Sequence, residues 1–224
     1  MSSTLLKKNL NKFIKILPEG LINRYHNWKE SGYKEHRNWY ESIAEKGQKP
    51  PFMVISCCDS RVQATAIFGA DPGEFFIHRN IANLIPPFNP NGDHHGTSAA
   101  IEFAVTSLGV SHLIVLGHSG CGGINSGYHL CKGTNKNNDM IFVNKWLDIL
   151  KPAYNNLNSI SNDLENIKEL EKESIKFSIK NLLEFPFVQT AIEKESLSIH
   201  GLWHNIGSGV LEVLDPESMN FKNC

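Results

Sequence analysis

The chain has 224 residues and nearly balanced charge, 22 Lys+Arg against 23 Asp+Glu, for a formal net charge of -1. Hydrophobic residues make up 41% and charged residues 20%, which supports a buried core and argues against global disorder. The balance also argues against a nucleic-acid binder working through a global basic surface, and five cysteines (Cys57, Cys58, Cys121, Cys131, Cys224) are too few and too odd a number for a disulfide scaffold.

In chain order, Leu5, Leu6, Leu10, Phe13, Ile14 and Leu17 recur at helical spacing among Lys7, Lys8, Lys12 and Lys15. That pattern predicts an amphipathic helix packing on the body or on a second subunit. Residues 1–48 read as two or three helices. Phe52–Ser56 is a short apolar run, hence a buried strand, and it delivers Cys57-Cys58-Asp59-Ser60-Arg61 at its carboxyl end. Asp71-Pro72-Gly73 reads as a turn, Glu74–His78 as a strand, and the proline-rich stretch 85–92 as a loop. Residues 96–108 read as a helix stopped by Gly109. His112–Gly117 is a third strand, followed by the glycine-rich turn His118-Ser119-Gly120-Cys121-Gly122-Gly123. Further helices are expected over 139–150 and 164–183, a surface loop over 154–163, and strands at 197–200 and 210–214 around a hairpin at Gly207-Ser208-Gly209. Strands alternating with helices read as the fold class α/β, with a helical arm over 1–47 and one domain over 48–224.

No apolar run approaches the ~20 residues of a membrane span, and lysines interrupt every apolar cluster near the start, unlike a secretory leader. A reducing, cytoplasmic setting is the expectation, where thiols serve metals or chemistry rather than disulfides. Neither a membrane nor a nucleic acid is expected as a partner.

Two strand ends carry soft ligands: Cys57 on one, His118 and Cys121 on the other. Carboxyl ends of parallel strands meet at a sheet crevice, and two thiolates with one imidazole suit Zn²⁺ while leaving its fourth position open. Side-chain alternation puts Cys57 and Asp59 on one side and Cys58 on the other, so Cys58 is expected to be a packed thiol. Asp59 and Arg61 can form a bidentate pair that keeps the carboxylate ionised beside the metal. The residue types alone leave two plainer readings open: a packed Cys/His cluster and an ordinary surface ion pair.

Cys57-x-Asp59-Ser60-Arg61 and His118-x-x-Cys121, together with Pro72-Gly73-Glu74, Arg79-Asn80-Ile81-Ala82-Asn83 and Cys121-Gly122-Gly123, resemble the β-class carbonic anhydrases. The similarity runs from about residue 48 to 132, with a weaker tail over 197–214 where Trp203-His204-Asn205 departs from the pattern. The resemblance implies a zinc enzyme that interconverts CO₂ and bicarbonate, with Cys57, His118 and Cys121 as zinc ligands and Asp59–Arg61 as the catalytic dyad. It implies a central sheet of about four parallel strands plus an antiparallel edge strand flanked by helices, a catalytic domain over 48–224, and a homodimer or higher assembly in which the arm over 1–47 makes oligomer contacts. In the plant-like branch it points to Gln48, Phe76 and Phe103 as substrate-pocket residues, partly supplied by a partner subunit. Gly122, opening a helix, offers its backbone N–H to bicarbonate. His78 reads as a structural histidine. The alternatives are a zinc hydrolase of COS or CS₂ on the same scaffold and a non-catalytic zinc or thiol assembly protein.

Overall fold

The structure, a computed structural model, describes residues 14–134, 139–157 and 162–224. The chain divides into two compact units, 1–47 and 48–224. In the first, α1 (Glu19–Trp28) runs through a wider turn at Lys29–Tyr33 towards α2 (Arg37–Lys46). Trp28, Tyr33 and Tyr40 pack ring against ring, with centroids 5.5, 6.0 and 5.2 Å apart. The amphipathic helix expected over 5–17 falls mostly outside the described residues. Its last part does not form: residues 14–18 are not helical, and Ile14 and Leu17 are exposed. Pro18, which lacks a backbone N–H, stands immediately before α1.

The second unit begins with β1 (Phe52–Cys57), α3 (Ala64–Phe68), β2 (Phe75–Asn80) and a tight turn at Ile81–Asn83. Next come α4 (His95–Glu102), extended by a wider helical turn to Leu108, then β3 (His112–His118) and α5 (Gly122–Cys131). The chain continues through α6 (Ile141–Leu147), α7 (Lys151–Asn155), α8 (Asp163–Leu182) and α9 (Pro186–Glu193). It closes with β4 (Ser198–His204), β5 (Leu211–Leu214) and β6 (Phe221–Asn223). The sheet order is β2-β1-β3-β4-β5-β6. The first four strands are parallel and the last two antiparallel. The expected architecture holds, with one strand more: β5 is the strand that runs against the other four, and β6, paired antiparallel to it, forms the edge. The helix foreseen over 164–183 is α8, capped by the Asn162 side chain accepting from the Glu165 N–H. Of the loop expected over 154–163, residues 158–161 lie outside the described residues and 154–155 belong to α7.

Met53–Cys57 and Leu113–His118 are buried throughout, because both faces of the central strands are covered. One face packs Met53, Ile55, Leu113 and Val115 against Ile101, Ile175, Leu182 and Val188 of the helices. A second cluster, at the carboxyl ends of the strands, gathers Cys57, Cys121, Ile124, Tyr128, Leu150 and Leu170. α5 joins that cluster by resting on the turn after β2. A Cβ on Gly123 would sit 2.8 Å from Ile81 Cγ2 and 3.2 Å from the Ala82 backbone nitrogen, leaving no room for a methyl group. Gly123→Ala is therefore expected to cost about 1–3 kcal/mol through overpacking, read as a lowered urea midpoint at unchanged m-value.

Candidate metal centre

After β1 the chain turns to β2 on one side, and β3 then lies on the other side of β1. The carboxyl ends of β1 and β3 thus flank the crevice where the connections diverge, the usual binding place of an open α/β sheet. Cys57 closes β1 and His118 closes β3. Gly120 adopts φ 64°, a left-handed conformation that glycine takes without steric penalty. The resulting tight turn brings Cys121, the residue before α5, back beside His118.

The ligand atoms of Cys57, His118 and Cys121 all lie within 4.8 Å of one another, and the two sulfurs are 3.8 Å apart. All three residues are at most 5% exposed. His118 Nδ1 faces the Ser119 carbonyl at 3.0 Å, so Nδ1 carries the proton and donates, and Nε2 holds the free lone pair. Among the described residues, that buried Nε2 has no hydrogen-bond partner. The Cys57 thiol is drawn down chiefly by its hydrogen bond with Cys121; His118 and the N–H groups of Asp59 and Ala82 add to this against the effect of burial. Cys121 is pushed up by the same sulfur–sulfur bond and by burial. The shared sulfur–sulfur bond and burial thus set the two thiols against each other. Burial works against a charged His118, but Cys57, the Ser119 carbonyl and Asp59 outweigh it and raise the ring. A divalent cation among the three would remove this conflict, allowing two thiolates and giving the orphaned Nε2 a partner. The donor set of two sulfurs and one imidazole fits Zn²⁺.

Asp59 stands at the rim. Its Oδ1 accepts from Arg61 Nε at 2.9 Å and from the Arg61 backbone N–H at 3.0 Å, while Oδ2 accepts from Arg61 Nη2 at 2.7 Å. This fork holds the Asp59 carboxyl well below the usual carboxylate range. Oδ2 is also 3.9 Å from His118 Nε2. The loop carrying the dyad is fixed by a residue whose task the sequence did not disclose. Arg79 donates to the carbonyls of Cys57, Asp59 and Val62 at 2.9, 2.7 and 2.9 Å. Ala82, at φ 64°, holds a conformation costing of order 1–3 kcal/mol for a non-glycine residue, and its N–H serves the Cys57 sulfur.

The remaining sequence candidates fall elsewhere. Phe76 pairs with Met53 in the sheet register, four positions before Cys57, about 13 Å along a strand rising ~3.3 Å per residue. Phe103 packs on Phe76 with centroids 5.9 Å apart and is 46% exposed. Gln48 is exposed and precedes β1. Within one chain, then, these three are not brought to the ligand cluster. Gly122 is exposed at the start of α5 beside Cys121. Cys58 corrects its expectation: it is outside the ligand cluster, but the residue is exposed rather than packed, because β1 has ended at Cys57. It borders a cleft of about 450 Å³ lined also by His78, Asn80, Thr97, His94 and Trp146. His78 there is half-buried and meets Thr97 Oγ1 at 3.0 Å, in keeping with a structural role. Glu171, which nothing in its local sequence singles out, and Trp203, in the weaker tail of the resemblance, stand behind the Cys121 turn. Glu171 accepts from the Cys121 N–H and from Trp203 Nε1, each at 3.2 Å.

Comparison with known proteins bears on the same region. A family model described as carbonic anhydrase matches residues 52–211. Beta carbonic anhydrase 3 of Arabidopsis thaliana is 34% identical over 198 residues, covering 87% of this chain and 76% of the plant protein. The solved structure of the β-carbonic anhydrase CcaA superposes with a TM-score of 0.84 at 27% identity, covering 92% of this chain and 91% of the other. One of two tetrameric β-carbonic anhydrases from Sordaria macrospora superposes with a TM-score of 0.75 at 30% identity, covering 87% and 94%.

Proposed function

The chain belongs to the β-carbonic anhydrase family, and on that premise we propose that it converts CO₂ and water reversibly to bicarbonate and a proton, with Zn²⁺ held by Cys57, His118 and Cys121 and with Asp59 and Arg61 as the catalytic dyad. The observation that carries this reading is the division of labour at the strand ends: three residues converge on one point, while Asp59 is committed through both oxygens to Arg61. A permanent fourth protein ligand would require Asp59 to leave that fork. When bound, Zn²⁺ with an open position supplies Lewis acidity that makes water a nucleophile near neutral pH.

The chain's own residues do the rest. The Ser119 carbonyl fixes the His118 tautomer, so Nε2 presents its lone pair inward. The backbone N–H groups of Asp59 and Ala82 lower the Cys57 thiol, and those of Ile124 and Gly123 work against the rise of the Cys121 thiol, which favours both thiolates. Ionised Asp59 accepts the proton of the attacking oxygen in a hydrogen bond and orients its lone pair towards CO₂. Arg61 keeps Asp59 ionised and aimed. The Gly122 amide, at the amino end of α5, receives the negative charge of bicarbonate.

Gln48, Phe76 and Phe103 are read as pocket residues contributed to the cluster of a second copy. Their distance from their own chain's cluster and the exposure of Phe103 support that reading, as does the tetrameric description of the Sordaria relatives. The arm over 1–47 would serve the assembly. Placement in the cytoplasm rests on five free thiols, the state a reducing compartment maintains.

Zinc stoichiometry combined with stopped-flow hydration across pH tests the proposal. One zinc per chain with CO₂ turnover is expected. A zinc held by four protein ligands with no turnover at any pH overturns it, and turnover of COS or CS₂ in place of CO₂ would move the substrate.

A further inference from the structure

The Gly120–Cys121 peptide joins the two ends of the metal-binding turn, and both of its polar atoms are held by side chains. Its oxygen accepts from Arg61 Nη2 at 3.1 Å. Its N–H, which precedes α5 and so has no helical acceptor, donates to Glu171 Oε1 at 3.2 Å. Gly120 lies in the left-handed region and carries no Cβ, so its own side chain puts no steric barrier in the way of this peptide plane turning. We propose that Glu171 is a positioning residue: with Arg61 it clamps the Gly120–Cys121 peptide from opposite ends and so fixes the Cys121 sulfur for the metal.

The chemistry of the residue supports the role. Glu171 is 2% exposed on α8, beside Leu170 and Ile175. Burying a carboxylate there for packing alone would be unfavourable. Two N–H donors converge on it, the Cys121 amide on Oε1 and the Trp203 indole on Oε2. A carboxylate offers a separate acceptor oxygen to each donor, and these two bonds work against the burial that raises the Glu171 pKa. Trp203 is buried on β4 opposite Gly117, one position before the His118–His204 pair. Its ring is covered by Lys172 Nζ, 4.6 Å from the centroid, and Lys172 is tied to Glu212 of β5. The indole that aims the carboxylate is itself held in place.

This inference rests on the zinc reading above and is tested through metal retention rather than turnover. The zinc-loaded wild-type chain, Glu171→Gln, Trp203→Phe and the double variant are mixed with excess EDTA well below their unfolding midpoints, and zinc release is followed with time. Leu170→Val serves as a neighbouring core change without a bond to the turn. In Glu171→Gln the new amide NH₂ must oppose one of the two donors, so release is expected to accelerate about tenfold or more. Trp203→Phe should accelerate it less. The double variant should release zinc more slowly than Glu171→Gln alone, because with the indole donor gone the Gln oxygen can turn to Cys121. The clamp is wrong if Glu171→Gln releases zinc no faster than Leu170→Val, or if the double variant matches Glu171→Gln. Should Glu171→Gln not fold, Trp203→Phe decides, and release at the wild-type rate rejects the clamp. A wild-type chain without zinc at these three ligands would instead sink the zinc reading.

Discussion

Cys57→Ser is expected to leave a folded chain that no longer retains zinc and no longer hydrates CO₂ above the uncatalysed background. A serine hydroxyl stays protonated near neutral pH and is a hard oxygen, so the site keeps one thiolate and one imidazole where three ligands are needed. His118→Ala should do the same by removing the nitrogen that has no other partner. Cys58→Ser is the matched control: its side chain lies outside the cluster and exposed, so zinc content and turnover should stay at wild-type levels. Metal analysis of the purified proteins and stopped-flow hydration read all three. Full activity in a metal-depleted Cys57→Ser protein would end the assignment. Metal removal should also lower the thermal midpoint of the wild-type chain. It returns a buried nitrogen to an unpaired state, at about 1–3 kcal/mol, and leaves two buried sulfurs 3.8 Å apart with no cation between them.

Some of this site is written in local sequence and some is not. Phe52–Cys57 and His112–His118 were legible because central parallel strands are covered on both faces and read as unbroken apolar runs. The period of two in a strand also separated Cys57 from Cys58. The same rule could not say that Cys58 would be exposed, since alternation governs direction and not what lies in that direction. β6, three residues at a sheet edge, is too short to show any period. Residue type on α8 was misleading in a physical way. Glu171, Ser174, Ser178 and Asn181 are buried, yet in sequence they belong to a charged and polar stretch like any solvated helix face. Two of them are accounted for by a loop 93 or more residues earlier: Ser178 Oγ accepts from the Ile85 N–H and Asn181 Nδ2 donates to the Ile85 carbonyl. Glu171 likewise serves a turn 50 residues away. Polar residues buried to satisfy distant backbone leave no local trace. Arg79 belongs to the same class, since its three acceptors are carbonyls and carbonyls have no sequence signature. Phe76 carries a different lesson: its register places it about 13 Å along the sheet from Cys57, so a pocket role for it, as proposed above, needs a second copy.

Asp59→Ala should lower CO₂ turnover by about 100- to 1000-fold, the usual loss when one preorganised polar group is removed from a reacting centre, while zinc stays bound at wild-type stoichiometry. The separation follows from geometry. Asp59 is outside the three-residue ligand cluster, and its oxygens are spent on Arg61, so it contributes orientation rather than coordination. Asp59→Asn should be nearly as damaging. An amide NH₂ would face the guanidinium, donor against donor, and the fork would open. Arg61→Lys should fall between wild type and Asp59→Ala: an ammonium keeps the charge but cannot present two parallel N–H groups to one carboxylate and a third contact to the Gly120 carbonyl. Because Arg61 joins the dyad to the ligand turn through that carbonyl, Arg61→Lys should also speed zinc release slightly, whereas Asp59→Ala, which leaves Arg61 free to hold Gly120, should not. Turnover and chelator-driven release measured on the same three proteins separate the two functions. Wild-type turnover in Asp59→Ala would remove Asp59 from the chemistry, and loss of zinc in that variant would make it a ligand instead.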